Sequence, residues 1–134
     1  MEGKFLSVVM PVYNEKETVL KIIYKVLSLD MVKELVVVDD CSTDGTRELL
    51  RAAAFDGRVK VLLHEKNMGK GAALRTALER VSGDIVVVQD ADLEYDPKEL
   101  KALVKPIRDG VADVVYGSRL SGGRPQRVYM FWHR

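Results

Sequence analysis

Apolar residues follow two alternating rhythms along this chain. Short runs such as Leu35-Val36-Val37-Val38 and Ile85-Val86-Val87-Val88 are continuous and rich in β-branched residues, as in strands buried on both faces. Between such runs, apolar positions recur at helical spacing, as at Val19, Ile22, Ile23, Val26 and Leu27. The pattern predicts strands over Phe5–Met10, Glu34–Val38, Arg58–Leu63, Ile85–Gln89 and Val111–Tyr116, with Pro11 and Asn14 breaking the first. It predicts helices over Glu15–Leu29, from a Ser42-Thr43-Asp44 cap to about Phe55, over Gly71–Val81, and from Asp96-Pro97 onward. No internal repeat, linker or low-complexity segment interrupts the series.

Buried strands alternating with helices imply an α/β fold, a mostly parallel sheet with helices on both faces. Right-handed crossovers then favour the doubly wound order 3-2-1-4, with a crevice beside strand one at the carboxyl ends. Those ends carry Pro11-Val12-Tyr13-Asn14-Glu15, Asp39-Asp40 and Asp90-Ala91-Asp92, so three distant polar clusters converge there. Asp90 and Asp92 are two residues apart, which on an extended backbone puts both carboxylates on one side and Ala91 on the other. Two hard oxygen ligands suit Mg²⁺ or Mn²⁺ carrying a diphosphate.

Composition narrows the class without changing this picture. At 134 residues, 47% hydrophobic and 31% charged, a single globular domain over 1–134 is expected. A net charge of +1 points to no particular partner, and no nucleic-acid partner is expected. The single cysteine, Cys41, excludes an internal disulfide. No apolar run approaches the ~18 residues of a membrane span, and the first residues lack an apolar signal region. The expected location is cytoplasmic, with at most a peripheral contact at the cytoplasmic face of a membrane.

Taken in order, Pro11-Val12-Tyr13-Asn14-Glu15, Val38-Asp39-Asp40-Cys41-Ser42-Thr43-Asp44-Gly45-Thr46, Asn67-Met68-Gly69-Lys70-Gly71 and Gln89-Asp90-Ala91-Asp92 resemble the family 2 glycosyltransferases of the Rossmann-like GT-A fold. Leu93-Glu94-Tyr95-Asp96-Pro97 and Gly117-Ser118-Arg119 are similar to the dolichol-phosphate mannose and glucose synthase branch. The resemblance spans about residues 5 to 134. It implies a nucleotide site formed by Pro11, Tyr13, Glu15, Asp39, Asp40, Lys70, Asp90 and Ala91. It implies Asp90, Asp92 and Glu94 as metal ligands, with Asp92 and Arg119 in catalytic roles and Arg119 on phosphate. The metal would act as a Lewis acid on the leaving diphosphate.

Plainer readings compete at several positions. Asp90 and Asp92 also fit a solvated turn, Asp40 a cap for the following turn, Tyr13 simple packing and Asn14 a turn former. Lys70 fits a solvated lysine as well as an anion contact at a helix start. Cys41 reads as structural, and His64 and His133 lack partners at ligand spacing, so neither receives a role. After Asp113 there is no acidic residue, while Arg119, Arg124, Arg127 and Arg134 intersperse with Tyr129, Phe131 and Trp132. That mixture fits a lipid headgroup or acceptor phosphate, and also an exposed basic tail or a helix start cut short. The expectation is a truncated catalytic domain holding the donor half.

The resulting expectation is an inverting glycosyltransferase. It moves a hexose from GDP-mannose or UDP-glucose to a polyprenyl (dolichyl) phosphate, with Mg²⁺ or Mn²⁺. A phosphate nucleophile is ionised at neutral pH and needs no strong base, and the chain offers no obvious one. Transfer to a glycan hydroxyl and a catalytically silent nucleotide-binding fragment remain open. A phospho-acceptor signalling domain fits less well: it needs paired acids on strand one and a lysine after the last strand, where Tyr116-Gly117-Ser118-Arg119 has none.

Overall fold

The described residues form ten elements: β1 (Leu6–Val12), α1 (Val19–Leu27), β2 (Val32–Asp39), α2 (Thr46–Ala52), β3 (Val59–Leu63), α3 (Lys70–Leu78), β4 (Ile85–Val88), α4 (Leu100–Arg108), β5 (Val114–Ser121) and β6 (Arg124–Trp132). The computed structural model describes residues 3–91, 99–108, 114–121 and 124–132. One six-stranded sheet has the order β3-β2-β1-β4-β6-β5. The first four strands in that order are parallel, and β6 runs antiparallel to both β4 and β5. The expected 3-2-1-4 arrangement is therefore present, extended by an antiparallel pair.

The period of two along each strand sorts the core into two layers. Leu6, Val8, Met10, Leu35, Val37, Ile85 and Val87 face Val19, Ile22, Ile23 and Val26 of α1, Leu50 of α2, and Leu100 and Val104 of α4. Val9, Val36, Val38, Val86 and Val88 face Ala73 and Ala77 of α3. Helices thus cover both faces. Each fully buried valine or isoleucine contributes roughly 1.5–3 kcal/mol through loss of apolar surface to water.

The end of the chain departs from expectation. Residues 124–132, read above as a basic and aromatic tail, form β6, with Trp132 opposite Ile85 and Phe131 opposite Val86. Aromatic and β-branched residues from Val128 to Trp132 suit a pleated surface, and that preference prevails over the charge of Arg124 and Arg127. The fifth strand runs past the expected end at Tyr116: Gly117, Ser118 and Arg119 lie inside β5, where Arg119 stands opposite Gln126. The predicted start at Asp96-Pro97 lies outside the described residues, as do Asp92, Glu94 and His133. α2 ends at Ala52 rather than Phe55 because Ala53 turns to an extended conformation, ψ 136°.

A buried acid ties the amino edge of the sheet together. Glu34 is 4% exposed and accepts hydrogen bonds from Ser7 Oγ, from the backbone N–H and hydroxyl of Ser82, and from Lys60 Nζ at 3.0 Å. Those donors bridge β1, β3 and the approach to β4. Gly83 closes this corner: a Cβ there would meet the Phe5 carbonyl at 2.6 Å and Ser7 Oγ at 2.6 Å. Burial alone raises the pKa of Glu34, but hydrogen bonds from Ser7, Ser82 and Lys60 outweigh it and bring the pKa down from 4.5 to about 2. A carboxylate with a depressed folded-state pKa stabilises the fold above its unfolded pKa, and that contribution disappears as pH falls. Denaturant unfolding between pH 2 and 6 should therefore show wild-type stability falling from about pH 4.5 towards pH 2. Glu34→Gln should be less stable at neutral pH and flatter across that interval; equal slopes would contradict the assignment.

Candidate functional site

The carboxyl ends of β1, β2 and β4 meet beside β1, where the strand order reverses. In the ladder, Val12 lies opposite Asp39 and Asp39 opposite Leu63. Pairing continues one step further: Asp40 N–H donates to Val12 O (2.8 Å) and His64 N–H to Asp39 O (2.9 Å). Because successive side chains alternate, Asp39 and Asp40 leave the strand on opposite faces.

Asp39 turns towards α2. Its Oδ1 accepts from the Ser42 hydroxyl (2.6 Å), its Oδ2 from the Ser42 backbone N–H (3.1 Å), and Arg47 Nε stands 3.8 Å away. Asp39 is fully buried. Asp40 turns towards α3. Its Oδ1 accepts from Met68 N–H (2.8 Å) and its Oδ2 from Gly69 N–H (2.8 Å), while His64 Nδ1 lies 2.9 Å from Oδ1. Burial raises the pKa of Asp40, but the donors from His64, Met68 and Gly69 lower it overall. An ionised carboxylate only accepts, so Nδ1 of His64 carries the proton in this contact. The cap reading of Asp40 is corrected accordingly: it clamps the loop before α3 rather than the turn after β2.

Neighbouring loops are cross-linked in the same way. Asn14, at φ 52°, donates its backbone N–H to Ser42 Oγ (2.8 Å), and its side-chain oxygen accepts from Thr43 N–H (2.8 Å). Glu15 N–H donates to Thr46 Oγ1 at 3.1 Å. The cap of α2 is Gly45, at φ 105°, rather than a side chain of Ser42, Thr43 or Asp44; Asp44 instead accepts from Thr46 N–H at 3.0 Å. Thr18, at the start of α1, donates its hydroxyl to the Ala91 carbonyl at 2.7 Å. That bond sets the residue between Asp90 and Asp92 against the first helix. Cys41 adopts φ 65°, with its thiol 3.5 Å from the Glu65 carbonyl.

These loops enclose a cavity of about 270 Å³ lined by Pro11, Val12, Tyr13, Glu15, Asp40, Lys70, Ala73, Asp90 and Ala91. Every residue expected in the nucleotide site lines it except the fully buried Asp39. Val12 and Ala73 are additions. Tyr13 is 47% exposed and lines the cavity. Across the cavity Lys70 Nζ makes a 2.8 Å ion pair with Asp90 Oδ1, with Asp90's side chain 26% exposed. Lys70 is the first residue of α3 and follows Gly69, whose φ 93° and ψ 161° belong to a region that essentially only glycine occupies. Among the described residues no group of three or more His, Cys, Asp or Glu side chains could hold a metal. Of the acids that line the cavity, Asp40 is buried, whereas Glu15 and Asp90 are partly exposed; Arg119 is placed by register alone.

The sequence profile described as Glycosyl transferase family 2 matches residues 7–132. The chain belongs to glycosyl transferase family 2. It is 37% identical over 118 residues to the undecaprenyl-phosphate 4-deoxy-4-formamido-L-arabinose transferase of Yersinia pestis (strain Pestoides F), covering 84% of this chain and 36% of that protein. The chain thus spans about a third of the length of the curated relatives it matches. Among solved structures it resembles the mannosyltransferase PcManGT from Pyrobaculum calidifontis in complex with GDP-Man and Mn²⁺, with TM-score 0.72 and 30% identity over 85% of this chain and 35% of that one. It also resembles glucosyl-3-phosphoglycerate synthase from Mycobacterium tuberculosis with Mn²⁺, UDP and phosphoglyceric acid, with TM-score 0.63 and 34% identity over 78% and 39% of the two chains. The fold is that of the GT-A glycosyltransferases.

Within this family 2 chain, the residues missed by sequence reasoning are Thr18, Ser42, Thr46 and His64. Their partners lie 73, 3, 31 and 24 positions away. Only the strand register could have brought His64 beside Asp40, since Leu63 pairs with Asp39. The saturation of Asp39 gives a prediction. Asp39→Ala leaves the Ser42 hydroxyl and N–H and Arg47 without their buried acceptor, which should cost about 1–3 kcal/mol of stability. Denaturant unfolding checks this, and an unchanged midpoint would instead favour a role confined to ligand contact.

Proposed function

We propose that the cavity binds a nucleotide-diphospho sugar and that this chain carries the donor half of an inverting hexosyltransferase acting on a polyprenyl phosphate. The observation that carries the reading is the convergence of Tyr13, Lys70 and Asp90, from three separate segments, on one cavity at the switch point of a doubly wound sheet. The exposed Tyr13 ring suits stacking against a base, and the Lys70 ammonium suits a diphosphate. A polyprenyl phosphate acceptor is supported by the undecaprenyl-phosphate transferases to which the chain is similar. GDP-mannose and UDP-glucose are the donors first expected, and the structural neighbours bound to GDP-Man and UDP are consistent with either base.

The residues fit a divalent cation in a limited way. Mg²⁺ and Mn²⁺ take most of their ligands from water and phosphate and need only one or two protein carboxylates. Asp90 offers one such carboxylate at the cavity wall, and Asp92 and Glu94 are the further candidates. A bound cation would supply Lewis-acid stabilisation of charge developing on the leaving diphosphate. Asp40 would not be a ligand, because three donors already occupy its oxygens. Among the described residues no helix is long and apolar enough to cross a membrane. We place the reaction at the cytoplasmic membrane face, through a peripheral contact with the polyprenyl acceptor.

Thermal-shift measurements with GDP, UDP and their sugars, with and without Mn²⁺, test the donor site. Wild type should gain stability with one nucleotide series, and the gain should grow with Mn²⁺. Asp90→Asn and Asp92→Asn should each remove the Mn²⁺-dependent part while the unliganded melting temperature stays within a few degrees. In a chain extended past Arg134 to supply the acceptor half, and with polyprenyl phosphate present, Arg119→Ala should lower sugar transfer far more than donor binding. A nucleotide response insensitive to both aspartate changes would overturn the metal assignment.

A further inference from the structure

We propose that His64 is a positioning residue that, through Asp40, aims Lys70 into the donor site; the inference rests on the nucleotide-diphosphate reading above. His64 ends β3, where its N–H continues the ladder by donating to Asp39 O at 2.9 Å. Its ring spans two elements: Nδ1 lies 2.9 Å from Asp40 Oδ1, and Nε2 lies 2.9 Å from Thr76 Oγ1 on α3. The side chain is 10% exposed and that of Asp40 5%, so the contact is shielded from water.

Asp40 uses the same carboxylate to hold Met68 N–H and Gly69 N–H, each at 2.8 Å. Lys70 comes next in the chain and opens α3. Gly69 has no side chain with which to cap that helix, so the start of α3 is held from outside by Asp40 and, one and a half turns further on, by His64 through Thr76. Lys70 has a long flexible side chain, and its 2.8 Å pair with Asp90 is exposed and weak by itself. What fixes its reach is therefore the backbone from which it springs. Removing the His64 ring takes away the one side-chain donor on Asp40 and loosens both anchors of α3 at once. His64 itself is absent from the cavity lining. Its effect would reach a ligand through Asp40, which lines the cavity, and through the Met68–Lys70 backbone that Asp40 holds.

The test combines a ligand-free readout with a binding readout on the 134-residue chain. His64→Leu should remain folded by circular dichroism, yet amide exchange at Met68 and Gly69 should quicken relative to the core amides of β1. Its affinity for UDP or GDP, whichever binds wild type, should fall about tenfold, the loss expected of one misaimed charged contact. Affinity for the corresponding nucleoside should stay unchanged. His64→Asn, whose amide can still donate to Asp40, should recover most of both losses. Lys70→Ala added to His64→Leu should weaken diphosphate binding little beyond either single change, because both remove the same contact. Unchanged exchange at Met68 and Gly69 in His64→Leu overturns the brace. Quickened exchange with undiminished diphosphate affinity, or additive effects of the two substitutions, overturns the aiming of Lys70. A wild-type chain that binds neither nucleoside diphosphate overturns the donor-site reading and, with it, this inference. In that case quickened exchange in His64→Leu would still distinguish a failed ligand assignment from a failed brace.

Discussion

Backbone pairing of β1 with β2 on one side and β4 on the other sets Val12 beside Asp39 and Val9 beside Val88. From that ladder the rest of the site follows. A parallel sheet brings all its strand ends to common edges, so loops far apart in sequence become neighbours. The carboxyl edge receives the polar strand ends and the cavity. The amino edge receives Glu34, Ser7, Lys60 and Ser82, whose hydrogen bonds bridge adjacent strands. One edge is closed by internal partners, and the other is left partly open to a ligand.

The acids at the carboxyl edge divide by how far their oxygens are already used. Asp39 and Asp40 are buried and bonded on both oxygens, one by Ser42 and the other by Met68, Gly69 and His64. A buried carboxylate without such donors would cost several kcal/mol, so saturation is the condition for placing two adjacent acids here. Asp90 differs. Its carboxylate pairs with the exposed ammonium of Lys70, a contact that solvent can enter. The buried pair holds the neighbouring loops together, while Asp90 and Glu15 remain partly exposed at the cavity wall.

The alternation of valine runs and amphipathic helices made the parallel core legible in the sequence, because both periods follow directly from burial. The cavity lining was legible through the ordered motifs: Pro11, Tyr13, Glu15, Asp40, Lys70, Asp90 and Ala91 all reach it. Which strand-end acids are taken up by internal donors was not legible, because adjacent residues of one strand end differ only in the face they leave by, and most of the donors lie on other elements. The same holds for His64, whose partners come from β2 and α3. The strand β6 was missed for another reason. Charge drew the reading of residues 124–132 towards a tail, although Gly122-Gly123 between two β-prone runs is a hairpin signal.

The central claim is that the open carboxyl edge, beside β1, is where a nucleotide diphosphate binds. Two-dimensional amide spectra of the chain titrated with UDP and with GDP in the presence of Mg²⁺ address it most directly. One of the two should shift the amides of Tyr13, Gly69, Lys70 and Ala91 in a saturable way and leave Lys33, Glu34 and Lys60 at the opposite edge in place. Saturable shifts centred on the Glu34 edge, or none with either nucleotide, would contradict the account.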